Sequence, residues 1–239
     1  GHSGADRLVN VEALWFVSDD GTQTTTPPAE TSFPALDYTA SYVDLINAFG
    51  TNSAAAFNHY INNGFIEGRT VTFDGLDYIA SYRDLMNAFG ANADAGSSHY
   101  IEHGWFEGRA VSFDGLQYLA SHPDLVSALG GPSLSDAKTA GDRGAVHYIN
   151  WGYAESRVKD SFDATQYLNN YSDLQTAFGD DLDAATLHYI RSGYFEGRTD
   201  DSLTPLGNGA MFADSGDPAQ LATVGVGVQT NVSQDFGII

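Results

Sequence analysis

Four histidines stand in one local setting, each followed by tyrosine: His59, His99, His147 and His188. An imidazole row of this kind has two uses. It can line a groove and hold a metal, or each ring can bond a carbonyl or carboxylate where one stretch of chain meets the next. Metal ligation needs side chains that converge within a few ångströms. Equivalent positions in stacked helical units lie roughly 10 Å or more apart, about one helix layer. The bonded, structural role is therefore preferred. His103 and His122 stand outside the pattern.

Arginines recur in the same way. Arg69, Arg109, Arg157 and Arg198 each follow a glutamate by two residues: Glu67, Glu107, Glu155 and Glu196. A row of guanidinium groups would suit an anionic glycan. It would equally clamp one unit to the next through Asp44, Asp84, Asp124 and Asp173, because the guanidinium fork serves a carboxylate and carbonyls together. In a chain of net charge −21 the structural clamp is preferred. A buried clamp would cost about 3–5 kcal/mol on loss of one partner.

Two further sets carry possible chemistry. Phe65, Trp105, Tyr153 and Tyr194 share one position, and Trp151 lies two residues ahead of Tyr153. Such rings either stack on carbohydrate or cover the core at each junction. The acidic cluster Asp180, Asp181 and Asp183 offers hard oxygen atoms of the kind Ca²⁺ takes, though without the EF-hand spacing. Helix capping and solvated turns compete with that reading. No motif requires a cofactor, and Ca²⁺ is the one ion the composition favours. The GxSxG, HExxH, phosphate-loop and dinucleotide-binding patterns are absent. No residue is nominated as catalytic.

The elements that must position these groups are repeats. FDGLDYIASYRDLMNAFG begins at Phe73, and close copies begin at Phe33, Phe113 and Phe162. Reiteration at this period marks units that bury their apolar faces against their neighbours. The expected fold is mainly α: an array of four roughly 40-residue helical repeats over 33–72, 73–112, 113–161 and 162–200. An N-terminal strand over 8–17 and a linker occupy 1–32. A Gly-rich extended segment occupies 201–239, with alternating valines at 224–228. Within a copy, Asp74 caps a first helix. Ser81 and Asp84 fit a capping box for a second helix, which ends at Gly90. A third helix is expected over 94–103. The extra residues at 130–144 have loop composition and are expected to project from one face.

Composition narrows the partners. Aromatic residues make up 13 % of the chain, ample for a packed core. Strong acidity argues against nucleic acid and anionic membranes. No apolar run is long enough for a membrane span. Cysteine is absent, which excludes disulfides and thiolate metal sites.

The copies resemble a tandem repeat of large secreted bacterial proteins, in a type I secretion, RTX-associated context. The resemblance rests on Phe113-Asp114, Tyr118-Leu119-Ala120, Pro123-Asp124-Leu125, His147-Tyr148, Gly152, Glu155 and Arg157, and on their counterparts. A looser version of the motif accompanies some bacterial glycosyltransferase domains. The opening DRLVNVEALWFVSDDGT and the ending DFGII look like segments of type I secreted chains. The calcium-binding nonapeptide of RTX proteins is absent, so its ligands map to no residue here. The resemblance implies a secreted or cell-surface bacterial protein and carries no activity.

The expected function is a non-catalytic extracellular module for adhesion, surface attachment or targeting of a larger secreted protein. Its partner would be an extracellular glycan or a surface protein. A carbohydrate-binding module using the aromatic row is the alternative. An enzyme with its site in the third-copy insertion or the C-terminal tail is a third reading.

Overall fold

The computed structural model describes residues 32–205, with the strand pieces Phe16–Val17, Gln23–Thr24 and Met211–Ala213. Over these residues the protein is mainly helical. The first copy holds α1 (Ala35–Ala40), α2 (Val43–Phe49) and α3 (Ser53–His59). The second holds α4 (Gly75–Ser81), α5 (Arg83–Phe89) and α6 (Ala93–His99). The third holds α7 (Gly115–Ala120), α8 (Pro123–Leu129) and α9 (Ala137–His147). The fourth holds α10 (Ala164–Asn170), α11 (Ser172–Phe178) and α12 (Leu182–His188). Phe16–Val17 pairs with Gln23–Thr24, and Leu203–Pro205 with Met211–Ala213, both antiparallel. Most of the strand expected over 8–17, and all of 224–228, lie outside the described residues.

Local chemistry explains the helix boundaries. Asp74 Oδ1 accepts from the amides of Leu76 and Asp77 at 2.8 and 3.1 Å, satisfying donors the helix leaves free. Asp114 and Asp163 cap α7 and α10 in the same way. Gly90 ends α5 with φ 55°, a conformation that favours glycine. The capping box does not form. Tyr82 is the residue that precedes α5, and no side chain caps it. Ser81 instead closes α4. Its hydroxyl donates to the Asp77 carbonyl at 2.7 Å and accepts from the amides of Ser112 and Phe113 at 2.9 and 3.0 Å.

The third helix also differs from expectation. It is α-helical only to His99, and Tyr100–Gly104 continues as a π-helical turn. Trp105 N–H bonds the Tyr100 carbonyl at 2.8 Å, and Arg109 N–H bonds the Gly104 carbonyl at 2.9 Å. Equivalent π turns lie at Tyr60–Gly64, Tyr148–Gly152 and Tyr189–Gly193. The wider turn swings the tyrosine ring inward. Tyr100 lies 4.4 Å from the Phe73 ring, and Tyr148 stacks on Phe113 at 4.5 Å.

Packing links the copies in sequence order. Each first helix lies against the third helix of its own copy and of the next: α1 on α3 and α6, α4 on α6 and α9, α7 on α9 and α12. Apolar clusters cross these joints, placing Ala40 and Ile46 with Phe73, and Leu76 and Ala80 with Phe113. The third-copy insertion does not project. Leu134 and Ala140 are buried, and Gly131 N–H donates to the Ile190 carbonyl at 3.0 Å. Asp136 caps α9 through Thr139 N–H at 2.7 Å. Gly144 faces the Gly115 carbonyl with no space for a Cβ, so the glycines serve a close helix contact here rather than a loop.

The turn between the π segment and the arginine needs a left-handed residue. Gly68, Gly108 and Gly197 supply it at φ 71°, 70° and 75°, but the third copy has Ser156 at φ 56°. A residue with a Cβ costs about 1–2 kcal/mol in that conformation. Ser156→Gly should therefore raise the melting temperature by a few degrees. Gly108→Ser should lower it by a similar amount. A calorimetric melt checks both, and an unchanged midpoint in both variants would refute the strain.

Candidate functional site

The four histidines converge on nothing shared. Each meets a buried tyrosine of its own copy. Oη and Nδ1 are 3.0 Å apart in Tyr38–His59, Tyr78–His99 and Tyr118–His147, and 2.9 Å apart in Tyr167–His188. All four phenols are fully buried. Burial pushes the Tyr38, Tyr78 and Tyr118 hydroxyls up to about 12 and holds Tyr167 higher still. Burial, then a nearby arginine, pushes His99, His147 and His188 down. In the pairs of His99, His147 and His188 both partners are thus neutral at physiological pH, joined by a hydrogen bond. Gly64, Gly104, Gly152 and Gly193 press on the same phenols, where any Cβ would overlap the hydroxyl. Among the described residues, no group of three or more His, Asp or Glu side chains is placed to hold a metal ion.

The arginines lie against the expected aspartates, in a different topology. Arg109 bonds Asp84 at 2.9 Å and Glu107 at 2.7 Å. Arg69 bonds Asp44 at 2.8 Å and Glu67 at 2.7 Å. Arg157 bonds Asp124 and Glu155 at 2.8 and 2.6 Å, and Arg198 bonds Asp173 and Glu196 at 2.9 and 2.8 Å. Each set lies within one copy, so the arginine closes its own unit instead of joining two. Arg69, Arg109 and Arg198 also cover the rings of Tyr42, Tyr82 and Tyr171 at 4.8–4.9 Å. With two carboxylates on each guanidinium, every set carries net negative charge and offers no seat for an anion. The clasp is not buried. The Asp84 side chain is 60 % accessible and that of Arg109 23 %.

The aromatic row divides. Trp105, Tyr153 and Trp151 are 38 %, 41 % and 55 % exposed. Phe65 and Tyr194 are half-buried, with ring centroids 6.3 Å from Tyr60 and 6.1 Å from Tyr189. Trp151 rests on His147 at 5.6 Å, as His103 rests on His99 at 5.4 Å. The more exposed apolar position is the next one along. Ile66, Phe106 and Phe195 are 59 %, 69 % and 53 % exposed. The sequence signal was present, an apolar residue directly ahead of Glu-Gly-Arg, but the larger rings beside it drew attention. In the acidic cluster, Asp181 is the cap of α12, accepting from Ala184 N–H at 2.9 Å. Asp180 and Asp183 flank it on the surface.

Two carboxyls at the joints were missed, Asp37 buried and Asp77 half-buried. Asp37 is 8 % exposed and accepts a hydrogen bond from the Ser97 hydroxyl of the next copy. Asp77 Oδ1 accepts from Gly115 N–H of the next copy at 3.1 Å. Burial pushes Asp37 up to about 6 and Asp77 up to about 8. Asp74 also faces both of them and raises each, while Lys138 opposes the shifts. Asp94 adds to the rise at Asp37 and Asp114 to that at Asp77. The signal was an acid on the buried side of the first helix, between Leu76 and Tyr78. Comparison with family models, with curated proteins and with solved structures finds no match to this chain.

Two outcomes are expected. Arg109→Ala should cost about 1 kcal/mol, the scale of an accessible ion pair and not of a buried one. Urea unfolding measures this, and a loss above about 3 kcal/mol would restore the buried clamp. The second concerns pH. As pH rises from about 4, the unfolded chain releases the Asp37 and Asp77 protons before the folded chain does. Their contribution is therefore complete at low pH and is lost by about pH 6 for Asp37 and about pH 8 for Asp77. The histidines act oppositely, below their ordinary value of about 6.5. Between pH 8 and 6.5 the melting temperature should rise as pH falls, and Asp77→Asn should flatten that slope.

Proposed function

We propose that residues 33–200 form an array of four tandem helical units flanked by β segments, acting as a non-catalytic extracellular module of a larger secreted bacterial protein. Its task is adhesion, surface attachment or targeting. One observation carries this reading. The repeated groups with chemical potential are engaged inside each copy, histidine with tyrosine and arginine with two carboxylates. What recurs at the surface is apolar: Ile66, Phe106 and Phe195, with Trp105, Tyr153 and Trp151 near them in sequence. Surfaces of this kind suit recognition, where buried aromatic anchors carry most of the binding energy. The partner is an extracellular glycan or a surface protein.

Carbohydrate binding is the second reading, favoured by the exposure of Trp105, Trp151 and Tyr153. Sugar rings stack on such faces. Of the two locations for the enzyme reading, the insertion sends Leu134 and Ala140 to the core, and most of the C-terminal tail lies outside the described residues. Calcium enters only as a counter-ion to the excess carboxylates, so millimolar Ca²⁺ should stabilise modestly and EDTA should leave the fold intact.

A glycan array and a panel of immobilised surface proteins test the reading. Phe106→Ala with Phe195→Ala should weaken retention on a surface protein about tenfold or more, with little change in melting temperature. Trp105→Ala with Trp151→Ala should act in that way if sugar is the ligand. Retention untouched by either pair would sink both readings.

A further inference from the structure

Each copy stacks through two unlike faces, and the fourth copy has lost one of them. The outgoing face, which meets the next copy, comes from the first and second helices. Leu76 and Ala80 of α4, with Met86 of α5, pack into the apolar cluster of the third and fourth copies. Leu36, Ala40 and Ile46 pack likewise into the cluster of the second copy. Their counterparts in the third copy are Leu116, Ala120 and Val126, all buried. In the fourth copy the same positions hold Thr165, Asn169 and Gln175, polar and exposed. The inward positions beside them keep their character: Tyr167, Leu168 and Leu174 are buried.

A further position changes with them. Asp37, Asp77 and Gln117 each bond a group of the next copy: the Ser97 hydroxyl, the Gly115 amide and the Phe162 carbonyl. Their counterpart Gln166 donates instead to Asn170 Oδ1 of its own helix, at 2.8 Å. The incoming face is altered at the other end of the array. Ser97, Ala145 and Thr186 stand two residues before a histidine, small and buried, on the helices that receive the preceding copy. The first copy has Phe57 at that position, its ring 5.5 Å from that of Phe33.

An outgoing face fits an incoming face by construction. A stack open at both ends would therefore add molecules head to tail without closing. End units with a polar outer face prevent this. We infer that the fourth copy is the terminating cap of the stack: its α10–α11 face takes neither a further unit nor a second molecule of this chain. Substitution at every outgoing position, with the inward ones retained, separates a cap from a merely variable copy. The array thereby keeps a fixed length instead of growing into filaments. The inference stands independently of the attachment reading.

Sedimentation velocity of the intact protein, from micromolar to millimolar concentration, tests it. Asn169→Arg should leave the profile of the unsubstituted protein unchanged. Thr165→Leu, Asn169→Ala and Gln175→Ile together rebuild an apolar outgoing face. That variant should bind more anilinonaphthalene sulfonate, and its sedimentation coefficient should rise with concentration. Its melting temperature should not fall, whereas Leu76→Thr with Ala80→Asn, at an occupied joint, should lower it by several degrees. A smaller sedimentation coefficient for Asn169→Arg would overturn the inference, by showing the face to be an interface. So would a rebuilt variant that is folded yet gains neither dye binding nor concentration dependence. A loss of stability in the rebuilt variant as large as that of the Leu76 and Ala80 pair would overturn it too, by placing Thr165 and Asn169 in an occupied contact.

Discussion

The buried phenol of each copy is the constraint from which the rest follows. Tyr78 is wholly removed from solvent, and its hydroxyl must find a partner there. An unpaired buried hydroxyl costs about 1–3 kcal/mol. His99 supplies the partner at 3.0 Å. Satisfying that bond leaves no space beside the oxygen, so the residue facing it is glycine, Gly104. The π turn over Tyr100–Gly104 lies between the two, and it carries Tyr100 onto Phe73. The chain leaves the turn directed back along its own copy. Arg109 therefore reaches Asp84, and Tyr82 Oη meets Ala110 N–H at 2.8 Å. One hydroxyl in the core thus accounts for the histidine, the glycine and the turn, and it places the clasp.

This economy leaves the histidines and arginines of the repeats already engaged with partners. A general base needs a titrating group that is accessible and near an operating pH. His99, His147 and His188 sit against a phenol and are pushed down by burial. These guanidinium groups are already divided between two carboxylates. Among the described residues, no buried side-chain nitrogen or oxygen lacks a partner. Groups held so completely contribute shape and cohesion. What the repeats do not consume is the apolar residues at the turns and the surplus of carboxylates.

Much of the fold was legible because its signals are local. Asp74 before an apolar run, and glycine after Phe89, mark a helix start and stop by simple chemistry. The π turn was not legible, since His-Tyr-Ile fits an α-helix of ordinary period equally well. What decides is the space around Tyr78, a residue twenty-one positions away. The capping box misled for a related reason. Serine and an acid three residues apart satisfied the pattern, yet Ser81 serves amides thirty-one and thirty-two residues on, and Asp84 serves Arg109. Glycine in the insertion read as loop because composition cannot distinguish a flexible glycine from one that lets two helices touch. Gly144 against Gly115 is the second kind. The candidate residues were found by their repetition. Asp37 and Lys138 were not, since Asp37 recurs only as Asp77, with Gln117 and Gln166 in the later copies, and Lys138 does not recur at all.

That last distinction bears on how such a chain finds its order. Bonds within the copies are near-identical, so they cannot tell one copy from another. A chain held by those alone could stack its units in the wrong sequence, a known failure of repeat proteins. The joints differ. Asp37 requires the Ser97 hydroxyl, which has Ala145 as its counterpart in the third copy. Asp77 takes the Gly115 amide, with Lys138 and Asp74 beside it. Gln117 donates its side-chain amide to the Phe162 carbonyl, a role neither aspartate can play when ionised. A misplaced unit would leave a buried carboxyl or amide without its partner, and that penalty acts against the wrong arrangement more than it stabilises the right one. Uniform interiors give each unit its stability, and unequal joints give the series its register.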